Sequence, residues 1–251
     1  SLYNGATASW TAERIRVESG TTLAVNAGGV AEFSSGDIDI LASIGSFSGG
    51  FQTGSFFGID TRDGDFSHGS VISDPGGNIL GLKKLGDNTL TLSSVNTYTG
   101  GTIVDAGILN QTVNNGIRGS LTINRGATFT ATAQQILYTG NRGPVIINGG
   151  TLDSNNNGNN NDVSFTSVTM TGGLWTHTGS SYFDIFNNNI APLPITTLAS
   201  TNEATISASR INTRGNIDLL FTVADGTTPS GADLVVSALL TPKQGSGSVS
   251  K

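Results

Sequence analysis

The chain has 251 residues, 35 of them Gly and none Cys, with 12% charged residues and a formal net charge of −6 at pH 7. Without cysteine there are no disulfides and no thiolate metal sites. The acidic balance, with Lys and Arg only in small groups such as Lys83 and Lys84, speaks against a nucleic-acid partner, because phosphate binding needs clustered cations.

A polar but weakly charged mixture, 36% hydrophobic, lacks the charge of a disordered acidic tail and suits an all-β architecture with many turns. No run of eighteen apolar residues exists, so membrane insertion is not expected. The first recognisable unit joins apolar Ile15 and Val17 to Gly20, then Thr22, Leu23 and Val25. Ile38 to Ile44 reads as one short helix capped by Asp37. Asp37 and Asp39, if on a strand, would face one way and could pair for acid–base work on a glycan; a surface pair is the plainer reading. Residues 45–79 are Gly- and Phe-rich and read as an irregular insertion, looping out or folding as a lateral flap. Within them, Asp60, Asp63 and Asp65 flank a Gly turn and form the best candidate for a hard cation such as calcium. A solvated turn is the competing reading, since the other ligands of a calcium loop are missing.

Residues 81–110 carry the most information. Leu90 and Leu92 alternate with Thr89 and Thr91, the period of a half-buried strand. Asn96, Gly100 and Gly101 are expected to supply left-handed backbone angles, after which Ile103 and Val104 restart an apolar run that Gly107 ends. This stretch resembles the autotransporter-associated β-strand repeat, also called the passenger-associated transport repeat. The matching positions are Lys84, Gly86, Leu90, Leu92, Asn96, Tyr98, Gly100, Thr102, Val104, Gly107 and Leu109. Asn88 departs by standing where a second Gly is usual, and Asn tolerates the left-handed region. The resemblance implies a right-handed parallel β-helix in a secreted or bacterial cell-surface protein, with Tyr98 in turn packing, and names no ligand.

Similar units follow: Leu121, Ile123, Gly126, Thr128 and Phe129; then Ile146, Ile147, Gly149, Thr151 and Leu152; then Val168, Met170, Gly172, Leu174 and Trp175. Gly86, Gly107, Gly126, Gly149 and Gly172 are spaced by 21, 19, 23 and 23 residues, an interval that marks a solenoid. The whole chain, 1–251, is thus expected to be one elongated β-helix of roughly ten to eleven coils of about 22 residues. Asn155–Asn161 and Asn187–Pro194 read as excursions between coils. Trp175, Tyr182, Phe183 and Phe186 would stack on sugars if exposed or wedge the core if buried. His68 and His177 read as surface or turn residues. Residues 243–251 read either as a polar tail or as the start of a further repeat, with Lys251 in the place of Lys84.

No nucleophile elbow, zinc-protease motif or phosphate-binding loop occurs. The expected role is therefore non-enzymatic: a stalk or filament-forming module whose uncapped ends stack on copies of itself. A glycan-binding adhesin using loops 45–79 and 154–162 is the alternative. A polysaccharide-cleaving β-helix enzyme ranks below both, because no acids fall in register on successive coils.

Overall fold

The computed structural model describes residues 2–133, 135–155, 162–163, 165–179, 183–186, 192–214, 217–244 and 249–250. Through them the chain winds as a parallel β-helix, each strand pairing with the strands one winding before and one winding after. The longest sheet has ten strands, from Thr22–Asn26, Ser55–Asp60 and Leu80–Leu85 on to Leu219–Val223 and Val249–Ser250. A second sheet of eight runs from Phe66–His68 to Leu234–Val236, and a third of four joins Asp162–Val163, Phe183–Phe186, Arg210–Arg214 and Leu239–Gln244. The windings are uneven. Partners in the long sheet are 20 residues apart from Leu82 to Thr102 and 19 from Thr102 to Leu121, but 34 apart from Leu23 to Phe57.

The repeated sequence unit explains this geometry. An alternating pair fills a strand of the long sheet, a glycine turns the corner, and a second alternating pair fills the second sheet. Gly20, Gly86, Gly107, Gly126, Gly149 and Gly172 all have φ between +60° and +80°, a region that residues with a β-carbon occupy only at a cost. Inward side chains then stack winding upon winding. In the second sheet Phe66, Leu90, Leu109, Phe129, Leu152, Trp175, Ile206 and Val236 form one continuous ladder. In the long sheet Val25, Ile59, Lys84, Val104, Ile123, Ile147, Met170, Thr197 and Val223 form another. Val145 and Ile147, rather than Ile146, face the core.

Residues 45–79 are not an insertion. They contribute Gly50–Phe51, which pairs with Arg16–Val17, then Ser55–Asp60 in the long sheet and Phe66–His68 in the second. Phe51 and Phe57 are buried and meet edge to face at 5.6 Å, while Phe47 is fully exposed. The glycines here admit close backbone contacts, as where Gly45 meets Pro75 and Gly49 meets Ala12. The helix spans Ser35–Ala42, not Ile38 to Ile44, and its cap is Ser34. The Ser34 hydroxyl accepts from the Asp37 backbone N–H while the Asp37 carboxylate accepts from the Ser34 N–H at 2.9 Å, a reciprocal box that satisfies both donors. No helix among the described residues is long and apolar enough to cross a membrane.

This helix caps the amino-terminal end. It follows the first strand of the long sheet and lies against Phe66–His68, the edge strand of the second. Ser35 Oγ and His68 Nδ1 share a 2.8 Å hydrogen bond, His68 Nε2 lies 3.5 Å from Asp39, and Ser70 Oγ donates to Asp39 at 3.0 Å. Ile38, Leu41 and Trp10 close the apolar interior, with Trp10 stacked on Phe33 at 5.7 Å. At the other end the ladders run out on Phe221, Val223 and Val236, and Val223 is 50% exposed. Val249–Ser250 pairs with Leu219–Leu220 as one more strand, while Lys251 lies outside the described residues.

Phe129 is fully buried at mid-ladder. Phe129→Ala is expected to destabilise the fold by about 3–5 kcal/mol, through lost transfer energy and the cavity left behind. Urea titration followed by tryptophan fluorescence checks the magnitude, and hydrogen exchange should show new opening at Leu109 and Leu152 first.

Candidate functional site

The winding from Leu82 to Asn110 buries three polar side chains, Lys84, Asn96 and Thr102. Lys84 occupies a position of the aliphatic ladder between Ile59 and Val104, and its side chain is fully buried. Its ammonium curls toward the glycine corner and donates to the carbonyls of Leu85 at 2.9 Å, Gly86 at 2.6 Å and Ala106 at 3.0 Å. Two successive windings are thereby tied by one cation with all three donors used. Burial pushes this ammonium down to about 8 from its ordinary 10.5, with Asp60, Asp87 and Asp65 pulling weakly the other way.

Gly86 and Gly107 stand one above the other at that corner. A β-carbon on Gly107 would lie 2.5 Å from the Gly86 carbonyl oxygen, and one on Gly86 would lie 2.4 Å from the Arg62 nitrogen. Gly100 serves differently. Its φ is ordinary, and its smallness matters because a β-carbon would fall 2.6 Å from the Leu80 carbonyl. Of the three residues expected to be left-handed, only Gly101 is, at φ +85°.

Asn96 is a staple instead. Its Oδ1 accepts from the Ile72 N–H at 2.9 Å, and its Nδ2 donates to the carbonyls of Ser94 at 3.1 Å and Gly116 at 2.9 Å. One buried amide thus links three windings. Asn88 is not left-handed either; its Nδ2 donates to the Thr61 and Arg62 carbonyls at 2.7 and 3.0 Å. Tyr98 is buried, with its hydroxyl 2.6 Å from Thr102 Oγ1, and burial raises its pKa well above the ordinary 10.0. Leu90, Leu92, Val104 and Leu109 complete the interior.

Asp74 belongs with these groups. Its Oδ1 accepts from the backbone of Leu80 and Thr99, and its Oδ2 from the Thr99 hydroxyl at 2.6 Å. Gln111, buried below Leu92, donates to the carbonyls of Val113 and Gln135 at 2.8 and 2.9 Å. Each lies one winding, 24 or 25 residues, from a partner.

The fold separates Asp60, Asp63 and Asp65 rather than gathering them. Asp60 is buried and held by Arg62, Asp63 is exposed, and Asp65 accepts from the Thr89 N–H at 2.7 Å. Among the described residues no three His, Cys, Asp or Glu side chains converge as a metal site. Asp37 and Asp39 sit on a helix, in the cap and latch roles above. Both histidines are buried, not superficial, and desolvation lowers the pKa of each. Trp175 and Phe57 lie inside the core, and Phe165 meets Trp175 at 5.8 Å. Tyr182 and the side chains of Phe183 and Phe186 lie outside the described residues. The site is therefore a set of structural staples, with no convergent acid, base and nucleophile in the repeat winding.

Asn96→Ala leaves the buried Ile72 N–H without its acceptor, while the Gly116 carbonyl keeps the Asn96 backbone N–H at 3.1 Å. The expected loss is about 1–3 kcal/mol for the one stranded group, measured by urea titration. Gly126→Ala, at a left-handed position with open space around it, should cost only about 1–2 kcal/mol, and Gly107→Ala clearly more. For Lys84 the folded pKa lies below the unfolded one, so between pH 8 and 10 the unfolded chain binds more protons and stability rises with pH. Lys84→Met should flatten that rise. Above pH 10 Tyr98 acts in reverse, because only the unfolded chain ionises there. Thermal melts of both proteins across this range check the signs.

Residues 82–110 match the family model of the passenger-associated-transport-repeat. No curated protein and no solved structure matches the chain. The winding stapled by Lys84, Asn96 and Tyr98 is thus the segment that matches the passenger-associated transport repeat, and it sits within a chain that winds as a parallel β-helix.

Proposed function

We propose that this chain is a non-enzymatic, load-bearing segment of a secreted or surface-displayed passenger protein, a rigid block that holds other parts away from the cell. The observation that carries this reading is the continuous pairing ladder through the long sheet, from Leu23 through Leu82, Leu121 and Val168 to Phe221. Ten strands at about 4.8 Å spacing span about 45 Å. Stiffness of this kind comes from neighbour-to-neighbour interfaces and grows by adding windings. The passenger repeat supports an exported destination.

The filament-forming version of this role needs both ends open, because head-to-tail stacking is a heterologous contact. The helix Ser35–Ala42 covers one of them, which argues against head-to-tail stacking through that end. The adhesin alternative loses Phe57 and Trp175 as contact residues, since both are interior.

Fluorophores placed at Ala8 and Ser237 should report a fixed separation close to the helix length, unchanged by viscosity or by added sugars. A broad or collapsed distance distribution would refute the rigid-block role. Sedimentation velocity should show no concentration-dependent ladder of oligomers; a continuous ladder would restore the filament reading.

A further inference from the structure

The outer face of the second sheet carries two adjacent columns rich in Thr, where the long sheet has one, through Thr122, Thr169, Thr196 and Thr222. Its strands alternate inward and outward, and the outward positions fall into columns that run along the helix axis. One column passes through Thr89, Ile108, Thr128 and Thr151; its neighbour passes through Thr91, Asn110, Thr130 and Asp153. A third continues past the strand ends through Ser93, Thr112 and Thr132, whose amides bond to the preceding winding. Later rows continue with Leu174 and Thr176, then Thr205 and Ser207. Hydroxyl side chains dominate, and the single charge in these columns, Asp153, is occupied by the backbone and hydroxyl of Thr178 at 3.0 and 2.6 Å. Thr89, Thr91, Thr128, Thr130, Thr151 and Thr176 are half-exposed, and their hydroxyls have no side-chain or backbone partner among the described residues.

Three properties follow together. The array is regular in two directions, about 4.8 Å between windings and about 6.7 Å between alternate residues of a strand. It is stiff, because each row is hydrogen-bonded to the next and backed by the buried Leu90, Leu109, Phe129 and Leu152 ladder, a side-chain stack of the kind that keeps sheets flat. Each Thr also offers one methyl and one hydroxyl at a repeated position. A partner that fits such a surface must itself be a flat lattice. A mineral face would call for rows of carboxylates, and a crystalline polysaccharide for aromatic platforms; this face has neither. Solid water matches, since the two repeats are close to the oxygen spacings on the prism face of hexagonal ice.

We propose that the Thr-rich outer face of the second sheet is an ice-binding surface, with Thr128 and Thr130 at its centre. Methyl groups there hold water in open cages while the hydroxyls anchor it, so that the ordered layer merges with a growing crystal.

The folded 251-residue protein, watched in a nanolitre osmometer, should shape ice crystals into facets and open a gap between melting and freezing. Thr128→Glu with Thr130→Glu should abolish both effects, with the circular dichroism spectrum and melting temperature close to those of the parent. Thr169→Glu, the same change on the outer face of the long sheet, should leave both intact. Rounded, freely growing crystals in the presence of the folded parent protein would overturn the proposal. So would retention by crystalline cellulose or chitin without any effect on ice, which would assign the lattice partner to polysaccharide.

Discussion

Registration between successive windings is the constraint from which the rest of this molecule follows. A parallel pair leaves each strand with backbone donors and acceptors on both sides, and only an in-register neighbour satisfies them. Once register is set, every inward residue rests on its counterpart one winding below. The interior is therefore a bundle of columns rather than a three-dimensional jigsaw, and each column must fill its space with whatever the sequence supplies. Leu, Ile, Val, Phe and Trp do so at Leu90, Ile123, Val145, Phe129 and Trp175.

Lys84 shows how strict that constraint is. A charged side chain in an aliphatic column would ordinarily be intolerable, since an unpaired buried charge is among the most costly defects a fold can carry. The corner next to it resolves the conflict. Left-handed Gly86 and the close approach of Gly107 turn carbonyl oxygens inward from two windings, and the ammonium meets three of them. The glycines and the lysine are thus one device. Asn96 performs the same service for amides at the opposite turn. Read this way, the polar residues of the repeat are what allows tight corners to be buried at all.

Much of this was legible before any coordinates. Recurrent glycines flanked by apolar pairs announced the corners and the two strands that meet there, because only a solenoid reuses one corner at a near-constant interval. The inward leucines followed from period two. Other features were hidden for physical reasons. Glycine serves both positive φ and close approach, so Gly100 could not be told apart from Gly101. The carboxylates of Asp60, Asp63 and Asp65 are near in sequence, yet the turn sends Asp60 toward Arg62 and Asp65 toward the next winding. Phe-rich residues 45–79 resembled an excursion because the winding there is long, and its strands carry glycines that periodicity alone cannot place. The roles of Asp74 and Gln111 depend on partners a full winding away, a distance that no local pattern reveals.

The edge strand Phe66–His68 is not left bare. A capped helix, a buried histidine and a tryptophan seal the apolar interior beside it. That winding is held from two sides, by the next winding and by the latch of Ser35, Asp39 and His68. Windings that rest on neighbours alone open more readily than one that is also bolted, so under heat or tension this part of the solenoid is an anchor against which the rest can come apart and rewind.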